Sequence, residues 1–485
     1  MATASATAHG AKRYDFKLPF VIGASAAGTT IEWYDFYIYG VLAAFFGTQF
    51  FPTDNPVAGL LASLATFGAG FAVRPFGAAV FGRIGDIVGR KFTFLVTITL
   101  MGGATAVIGL LPTYAQIGIL APIILVSLRL LQGLALGGEY GGAAIYVAEH
   151  SPDDKRGQYT SWIQTTATVG LLMALAVVGI TRTVMSPEQF TDFGWRIPFL
   201  LSAVLVALAL YVRLRLQETP LFTRLKEAGK SSTSPWRESF GDPANRRLIL
   251  LALLGMTAGQ AVVWYQGQFQ ALFFLNTTLR ISFLESYFIV GTAIVLATPF
   301  FIFFGRLSDR IGRKKIILAG CLIAAITYVP IYLLMQQFAG PGTPGTDPTT
   351  GNSITQHLTP NIPVLIALVW IQVVFVTMVY GPIAAFLVEY FPARIRYTSL
   401  SIPYHIGNGW FGGFLPLIAA ALAAATGNPL AGLAYPILVA LMTVYVGWRY
   451  IPETKDVRIW DEVGGHKVPP EPVREAAPAG GSLAG

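Results

Sequence analysis

The chain has 485 residues, of which 54% are hydrophobic and only 12% are charged, and its formal net charge is +8. Ordinary soluble domains carry about 25% charged residues, so this composition excludes a disordered chain and argues against a soluble multidomain enzyme. The single cysteine, Cys321, excludes an intramolecular disulfide and a metal site made only of cysteines. The class that remains is a protein with many membrane-spanning segments.

Twelve stretches are long and apolar enough to cross a bilayer, which takes about 20 apolar residues in a helix. The runs are continuous rather than alternating, which excludes a transmembrane β-barrel. The first residues lack the pattern of a signal peptide, so we expect the first span to remain in the protein. The predicted spans are residues 18–45, 57–81, 93–112, 117–147, 160–183, 195–217, 248–275, 285–305, 315–338, 362–388, 398–425 and 430–451.

The lysines and arginines are distributed unequally between the two sides of these spans. Most of them lie in the two terminal segments and in the loops on the same side, which include the long middle loop. Loops rich in Lys and Arg remain in the cytoplasm. We therefore expect both termini to be cytoplasmic, and this asymmetry explains the basic charge without a nucleic-acid partner.

The two halves of the chain repeat the same motifs. Residues Gly82–Lys91 between spans 2 and 3 are echoed by Gly305–Lys314 between spans 8 and 9. A second pair of motifs follows spans 4 and 10, and a third pair closes each half. Six spans per half in the same orientation predict two bundles around a central site, a parallel repeat. The predicted parts are a cytoplasmic N-terminus (1–17), two six-helix bundles (18–217 and 248–451), a cytoplasmic linker (218–247) and a cytoplasmic tail (452–485).

The G-x-x-x-D-x-x-G-R-K loop after span 2, with its echo after span 8, resembles the signature of the major facilitator superfamily. A narrower resemblance is to the metabolite:proton symporter family. It covers nearly the whole chain and implies an all-α membrane protein that couples proton entry to uptake of a small polar metabolite. Substrates in that family are oxo-acids, di- and tricarboxylates, shikimate, proline or betaine. The segments that carry this resemblance are Thr30–Tyr37, Arg74–Gly77, Gly137–Gly141, Val263–Tyr265, Phe391–Tyr397 and Gly409–Pro416.

Charged residues lie deep inside predicted spans, where a charge costs at least ~2.5–3.5 kcal/mol on insertion scales. Glu32 and Asp35 share one face of span 1, one turn apart. Two adjacent buried carboxylates resist double ionisation, so one of them is a candidate proton carrier; the alternative is a purely structural role for both. Arg129 in span 4 needs a counter-charge. We expect Glu32 or Asp35 to supply it in the empty carrier and a substrate carboxylate in the loaded one, or else a permanent ion pair. For Arg74, gating and substrate roles are both open.

Polar and aromatic side chains also mark spans 7 and 11. Gln260, Trp264 and Gln268 follow one another at a spacing of four, with Tyr265 beside them. Lipid would not accept two glutamines, so this face is predicted to line a cavity, although hydrogen bonds between helices are an alternative. His405 and Asn408 mark span 11 in the same way. His405 is a candidate titrating group or a packing residue.

The repeated loops have a predicted gating role. Asp86 and Asp309 can face helix N-termini, where an anion is favoured by about 0.3–1 kcal/mol. Arg90 and Arg313 can bridge to the acidic helix ends at Glu149 and Glu389. The candidate gating residues are therefore Asp86, Arg90, Glu149, Asp309, Arg313 and Glu389. The resemblance implies that these contacts close the cytoplasmic side. A solvated basic loop is the alternative.

No P-loop, metal-ligand cluster or nucleophile motif is present in the sequence, so we expect no cofactor, no metal and no enzymatic activity. We interpret the chain as a monomeric proton-coupled symporter of a bacterial inner membrane that imports a small organic anion. Its partners would be the small organic acid, protons and the lipid bilayer. One alternative is a proton symporter of a zwitterion such as proline or betaine. Another is a transporter-like nutrient receptor that binds without flux.

Overall fold

The computed structural model describes residues 18–52, 55–87, 90–138, 140–214, 235–346, 353–357, 359–393 and 395–459. Within these residues, ten helical stretches are long and apolar enough to cross a membrane. The first and third predicted spans correspond to two further helices, Leu18–Val41 and Arg90–Leu110. The architecture is therefore that of a twelve-helix membrane protein.

The first six spans form one bundle, and span 2 is broken in the middle. In span 2 the break is at Val73, where Pro75 cannot donate a backbone hydrogen bond, and it places Arg74 at the start of the second half-helix. Short helices cover Ala43–Phe50, Tyr114–Ile117, Asp153–Lys155, Pro187–Asp192 and Gly194–Arg196. The spans are Leu18–Val41, Pro56–Ala72 with Arg74–Ile87, Arg90–Leu110, Leu120–Gly137 with Tyr140–His150, Arg156–Val184 and Ile197–Leu214.

The last six spans form the second bundle. Span 7 runs through three wide π-turns, and span 11 contains a fourth; such turns occur often at functional sites. Span 7 consists of Pro243–Ala252, Leu253–Thr257, Ala258–Tyr265, Gln266–Gln270, Ala271–Phe273 and Phe274–Thr278. Span 8 consists of Phe283–Ala297 and Pro299–Ile311, and span 9 is Arg313–Phe338. Span 10 consists of Ile362–Tyr380 and Ile383–Tyr390, and span 11 of Arg396–Ile406, Gly407–Gly412 and Leu415–Thr426. Span 12 is Ala434–Tyr450, preceded by the short helix Ala431–Leu433.

Two local features were not predicted from the sequence. Strands Gly342–Thr346 and Ser353–His357 pair antiparallel between spans 9 and 10, so the chain is not all-α at this loop. Their Gly- and Pro-containing sequence gives no alternating apolar pattern. The second feature lies in the predicted linker, of which residues 218–234 fall outside the described part. Helix Pro235–Gly241 occupies part of the remainder, and span 7 already begins at Pro243.

The two bundles meet chiefly where span 2 packs on span 11 and span 5 on span 8, and also where spans 4 and 5 pack on span 10. The indole Nε1 of Trp410 in span 11 donates to the carbonyl of Ala72 in span 2 at 2.9 Å. The Tyr287 hydroxyl of span 8 donates to the carbonyl of Val41 in span 1 at 3.0 Å. Spans 5 and 8 approach so closely that a Cβ on Gly305 would lie 2.6 Å from the carbonyl oxygen of Gly157. The bundles are therefore in contact on both sides of the membrane.

Candidate functional site

Aromatic rings from both bundles fill the space between them. Tyr37 of span 1 stacks on Trp264 of span 7 with ring centres 5.4 Å apart. Phe71 of span 2 meets Tyr265 of span 7 edge to face at 5.2 Å. All four rings are buried. Aromatic walls with a few polar groups are typical of small-molecule sites, so this cluster is the candidate site.

Arg74 lies in this aromatic cluster. Its guanidinium carbon is 3.9 Å from the ring centre of Phe71, 4.5 Å from that of Phe36 and 5.1 Å from that of Trp33. The residue is 0% exposed, and none of its three side-chain nitrogen atoms has a hydrogen-bond partner among the described residues. The ring faces of Phe71, Phe36 and Trp33 lie against this charge. Cation–π contacts compensate a buried charge only in part.

Arg129 lies in a different environment. Its Nη1 donates to Gln132 Oε1 at 2.8 Å and to the carbonyl of Phe36 at 3.3 Å. Gln132 in turn donates to the Thr105 hydroxyl at 2.6 Å. The guanidinium also lies over Phe36 and Tyr39, at 4.0 and 4.5 Å from their ring centres. All of these groups belong to the first bundle.

The expected ion pair between Arg129 and Glu32 or Asp35 is absent among the described residues, and this corrects the sequence interpretation. Both acids are buried. Asp35 faces the Ser202 hydroxyl of span 6, on the side of span 1 away from the aromatic cluster. Phe36 and Tyr39 cover the Arg129 guanidinium instead. Depth along a helix brings two residues to one level, but the direction of each side chain decides whether they meet.

The polar residues predicted in spans 7 and 11 are all buried in the structure, and two of them pair with each other. Gln260 and Asn408 exchange amide hydrogen bonds of 3.2 Å in both directions. Gln268 reaches Thr168 of the first bundle at 3.5 Å. The indole nitrogen of Trp264 has no hydrogen-bond partner. The Gln260–Asn408 bond joins two helices of the second bundle, which is the alternative to a cavity lining that the sequence left open. Trp264 and Gln268 instead face the other bundle.

His405 is 1% exposed, and neither ring nitrogen has a hydrogen-bond partner. It lies edge to face with Tyr404 at 5.2 Å. Tyr404 shares a hydroxyl hydrogen bond of 2.6 Å with Tyr380 and stacks on Tyr140 of the first bundle at 3.4 Å. Gln164 donates to the Tyr140 hydroxyl at 2.8 Å. Tyr380, Tyr404 and Tyr140 were not among the predicted site residues, because a single tyrosine in an apolar span gives little indication of a role. For Tyr140 the available signal was its place in the segment Gly137–Gly141, which carries the family resemblance.

A cluster of charged residues joins the bundles on the side of the chain termini. The carboxylate of Asp309 accepts the backbone N–H groups of Gly157 and Gln158 at 2.8 and 2.9 Å. These two residues form the first turn of span 5, where a helix favours an anion. Arg313 Nη1 donates to Asp309 at 2.6 Å. Asp309 of the second bundle therefore caps a helix of the first.

Glu389 receives two arginines in the same cluster. Arg156 Nη1 lies 2.8 Å and Arg313 Nη2 lies 3.0 Å from its Oε1 atom. The Thr454 hydroxyl donates to the other carboxylate oxygen at 2.8 Å, and the carbonyl of Val457 accepts from Arg156 at 3.1 Å. Sequence reasoning missed the roles of Arg156 and Thr454. Arg156 lies in the repeated motif after span 4 and Thr454 in the motif that closes the second half, and that repetition was the available signal.

The matching cluster of the first half is only partly visible. The side chains of Asp86 and Arg90 lie outside the part of the chain that the structure describes, and Glu149 is buried at 3% exposure. The predicted gating residues that the structure does bring together are therefore Asp309, Arg313 and Glu389. Within the described residues, no group of three His, Cys, Asp or Glu side chains has the spacing to hold a metal ion.

Comparison with known proteins gives matches over most of the chain. The family model of the major facilitator superfamily matches residues 21–343. The shikimate transporter of Escherichia coli (strain K12) is 36% identical over 404 residues, which cover 82% of this chain and 86% of that protein. The proline/betaine transporter of the same organism is 32% identical over 444 residues, covering 89% and 83%. The solved structure of the proton:xylose symporter XylE bound to 6-bromo-6-deoxy-D-glucose superposes with a TM-score of 0.68 over 92% of this chain and 98% of that one. Its 18% identity makes this a likeness of fold alone.

Proposed function

We propose that this chain imports a small organic anion together with protons. The chain belongs to the major facilitator superfamily and, within it, to the metabolite:proton symporter family. The proteins of this family are transporters rather than enzymes. Import would proceed by alternating access, in which the two bundles rock around the aromatic cluster. Both termini would face the cytoplasm of a bacterial inner membrane, because Lys and Arg concentrate on that side. The working unit would be a monomer.

One observation supports an anionic substrate above the others: two buried arginines near the candidate site. Arg74 and Arg129 are both 0% exposed, and neither forms an ion pair with a carboxylate among the described residues. A buried cation costs several kcal/mol in desolvation unless it is paired. An arriving carboxylate would supply the missing charge, and this supports binding of an anion.

The relatives are compatible with this proposal and with one alternative. Shikimate is a carboxylate, and the protein named for its transport is 36% identical to this chain. Proline and betaine are zwitterions, and their named transporter is 32% identical. Aromatic rings can bind the cationic end of a zwitterion. Here, however, the faces of Trp33, Phe36 and Phe71 are already taken by Arg74, and its charge would repel a second cation. The anion is therefore the first candidate.

Glu32 and Asp35 are the proposed proton carriers. Both lie buried in span 1, and Asp35 has no cation paired with it among the described residues. Binding of a proton neutralises such a carboxylate and so removes the cost of burying its charge. Because span 1 also supplies Trp33 and Tyr37 to the aromatic cluster, a movement of this helix would couple protonation to binding. The cluster around Asp309, Arg313 and Glu389 would serve as the gate on the cytoplasmic side.

Transport assays on the purified protein in liposomes test the proposal. Labelled shikimate, 2-oxoglutarate, citrate, proline and glycine betaine are supplied outside, with and without an inward proton gradient. We expect one of the acids to accumulate with the gradient and to stop accumulating when a protonophore is added. Accumulation of betaine or proline alone would support the zwitterion alternative.

Counterflow separates a carrier from a receptor. Liposomes preloaded with the unlabelled acid should take up the labelled acid without any proton gradient, because exchange needs no net proton movement. Binding of the acid without counterflow would identify a receptor and refute transport.

A further inference from the structure

The two buried arginines contact different parts of the molecule. Every hydrogen bond and ring contact of Arg129 is to the first bundle. Arg74 contacts rings of spans 1 and 2, and it also lies close enough to Tyr265, Tyr380 and Tyr404 of the second bundle to interact with them electrostatically. His405 is another neighbour of Arg74 from the second bundle. Arg74 lies against Phe71, which meets Tyr265 edge to face, so it is nearer to the junction of the bundles than Arg129, although Arg129 also interacts electrostatically with Tyr265.

The hydrogen bonds of Arg74 and Arg129 also differ. Arg129 has two partners, both through its Nη1 atom, in a chain that continues through Gln132 to Thr105, whereas its Nε and Nη2 atoms have none among the described residues. Arg74 has none there for any of its three nitrogen atoms. In the part of the chain that the structure describes, the indole Nε1 of Trp264 and the two ring nitrogens of His405 also lack partners. Buried donors without a hydrogen-bond partner are unusual in a native protein and need an explanation. Where several of them lie close together, a bound ligand is the usual explanation.

We propose that the substrate's carboxylate binds to Arg74, with His405 and Trp264 as neighbouring donors, and that Arg129 is a positioning residue that fixes span 1 through Phe36. The inference rests on the proposed import of an organic anion and deepens it. Arg74 donates in a planar fork, which matches the two oxygens of a carboxylate. Because its neighbours come from both bundles, a carboxylate bound there would contact both bundles at once, as alternating access requires.

The same surroundings indicate the class of substrate. The described neighbours of Arg74 are the aromatic rings of Trp33, Phe36 and Phe71, with His405 and the Arg129 guanidinium close enough for electrostatic interaction. Arg129 is covered by Phe36 and Tyr39 and is engaged by Gln132. The Arg74 guanidinium suits one carboxylate, and aromatic walls suit a flat or ring-shaped body with hydroxyl groups. The substrate class that follows from the proposal is a monocarboxylate with an uncharged body.

Ligand binding to purified variants tests both parts. Thermal shift and calorimetric titration are run with shikimate, 4-hydroxybenzoate, 2-oxobutanoate, 2-oxoglutarate and citrate, and with the methyl ester of each monocarboxylate. The acid that binds the parent most tightly is then titrated against Arg74→Gln, Arg74→Lys, Arg129→Gln and Arg196→Gln. Arg196 donates to the carbonyls of Gly109 and Leu111, away from the site, and controls for the loss of an arginine.

We expect Arg74→Gln to weaken binding of the acid about tenfold or more, since hydrogen bonds to charged groups are worth ~1.5–3 kcal/mol. Arg74→Lys should lie between parent and Arg74→Gln, because it keeps the charge and loses the fork. The methyl ester should bind the parent poorly and lose nothing further in either Arg74 variant. Arg129→Gln should melt at a lower temperature without ligand, because its hydrogen bonds are lost, but should bind the acid within about threefold of the parent.

Several outcomes would overturn the inference. If Arg129→Gln loses binding while Arg74→Gln keeps it, or if both lose it equally, Arg74 is not the carboxylate site. If citrate or 2-oxoglutarate binds most tightly, the monocarboxylate class is wrong. If the parent binds none of the acids, the proposed function itself fails, which is distinct from a failure of Arg74 alone. If Arg74→Gln does not fold, binding of the acid and of its methyl ester to Arg74→Lys is compared instead. That comparison then decides whether Arg74 holds the carboxylate.

Discussion

Arg156 and Glu389 form an ion pair of 2.8 Å across the two bundles, with both side chains fully buried. The same carboxylate oxygen lies 3.0 Å from Arg313. Burying three charges is costly, so the cluster is stable only while all its members remain together. If the bundles separate on this side, Arg156 leaves with the first bundle and Glu389 stays with the second. The pair therefore stabilises the state that is closed on the side of the termini.

The Arg156–Glu389 pair can be measured with a double-mutant cycle. Glu389→Gln should destabilise the protein by about 3–5 kcal/mol, because it leaves two buried arginines without their shared carboxylate. Arg156→Gln should cost less, because Arg313 still binds Glu389. We expect a coupling energy of about 0.5–3 kcal/mol from the melting of both single variants and the double variant. Equal costs of the two single changes and no coupling would contradict the pairing.

Asp309→Asn should favour the state that is open on the side of the termini, by about 1 kcal/mol. The variant loses the negative charge that faces the first turn of span 5 and the partner of Arg313. A cysteine introduced for Ser161, at the contact of spans 5 and 8, should react faster with a polar thiol reagent once Cys321 is replaced. Asp456→Asn is the control, because that carboxylate is 87% exposed. Equal labelling in the two variants would argue against a gate at Asp309.

A methyl group on Gly305 should have the same effect by a steric route. Its Cβ would lie 2.6 Å from the carbonyl oxygen of Gly157 and 2.6 Å from the Ser161 side chain, so spans 5 and 8 would have to separate. We expect Gly305→Ala to reduce transport and to raise labelling of a cysteine on the terminal side. Gly103→Ala is the matched control, since nothing lies within 4 Å of the added Cβ. Gly103 lies inside a helix, so alanine there should be neutral or stabilising by about 0.5–1 kcal/mol. Similar behaviour of both variants would refute the steric explanation.

Proton coupling is expected to depend on Glu32 or Asp35. Glu32→Gln or Asp35→Asn, at least one of them, should retain counterflow in liposomes while losing uphill uptake under a proton gradient. The reason is that exchange needs no net proton movement, whereas accumulation does. Ser202→Ala is a useful companion, because it removes the hydroxyl that faces Asp35 and keeps the acid. If both acid variants still concentrate substrate like the parent, the proton is carried elsewhere, and His405 is the next residue to test.

The number of spans and the repeat could be predicted from the sequence because the membrane imposes a local rule. A span needs about 20 apolar residues wherever it lies in the fold, so each can be recognised without knowledge of its neighbours. The sequence could predict that Asp309 contacts a helix N-terminus, because its negative charge is favoured at any such end; in the structure this end is the first turn of span 5. The particular helix, and the contribution of Arg156 and Thr454 to the same cluster, depended on which spans come together.

The family, the twelve spans and the charged residues within them could therefore be predicted from residues that are neighbours along the chain. The direction of each side chain depended on how the helices pack against one another. Arg129 was expected to pair with Glu32 or Asp35 at a similar depth, but Asp35 faces Ser202 and Arg129 is covered by aromatic rings of the first bundle. Arg74, whose role the sequence left open, lies instead where both bundles meet. Depth follows from counting residues along one helix, whereas direction depends on the rotation of that helix against its neighbours, which packing alone sets.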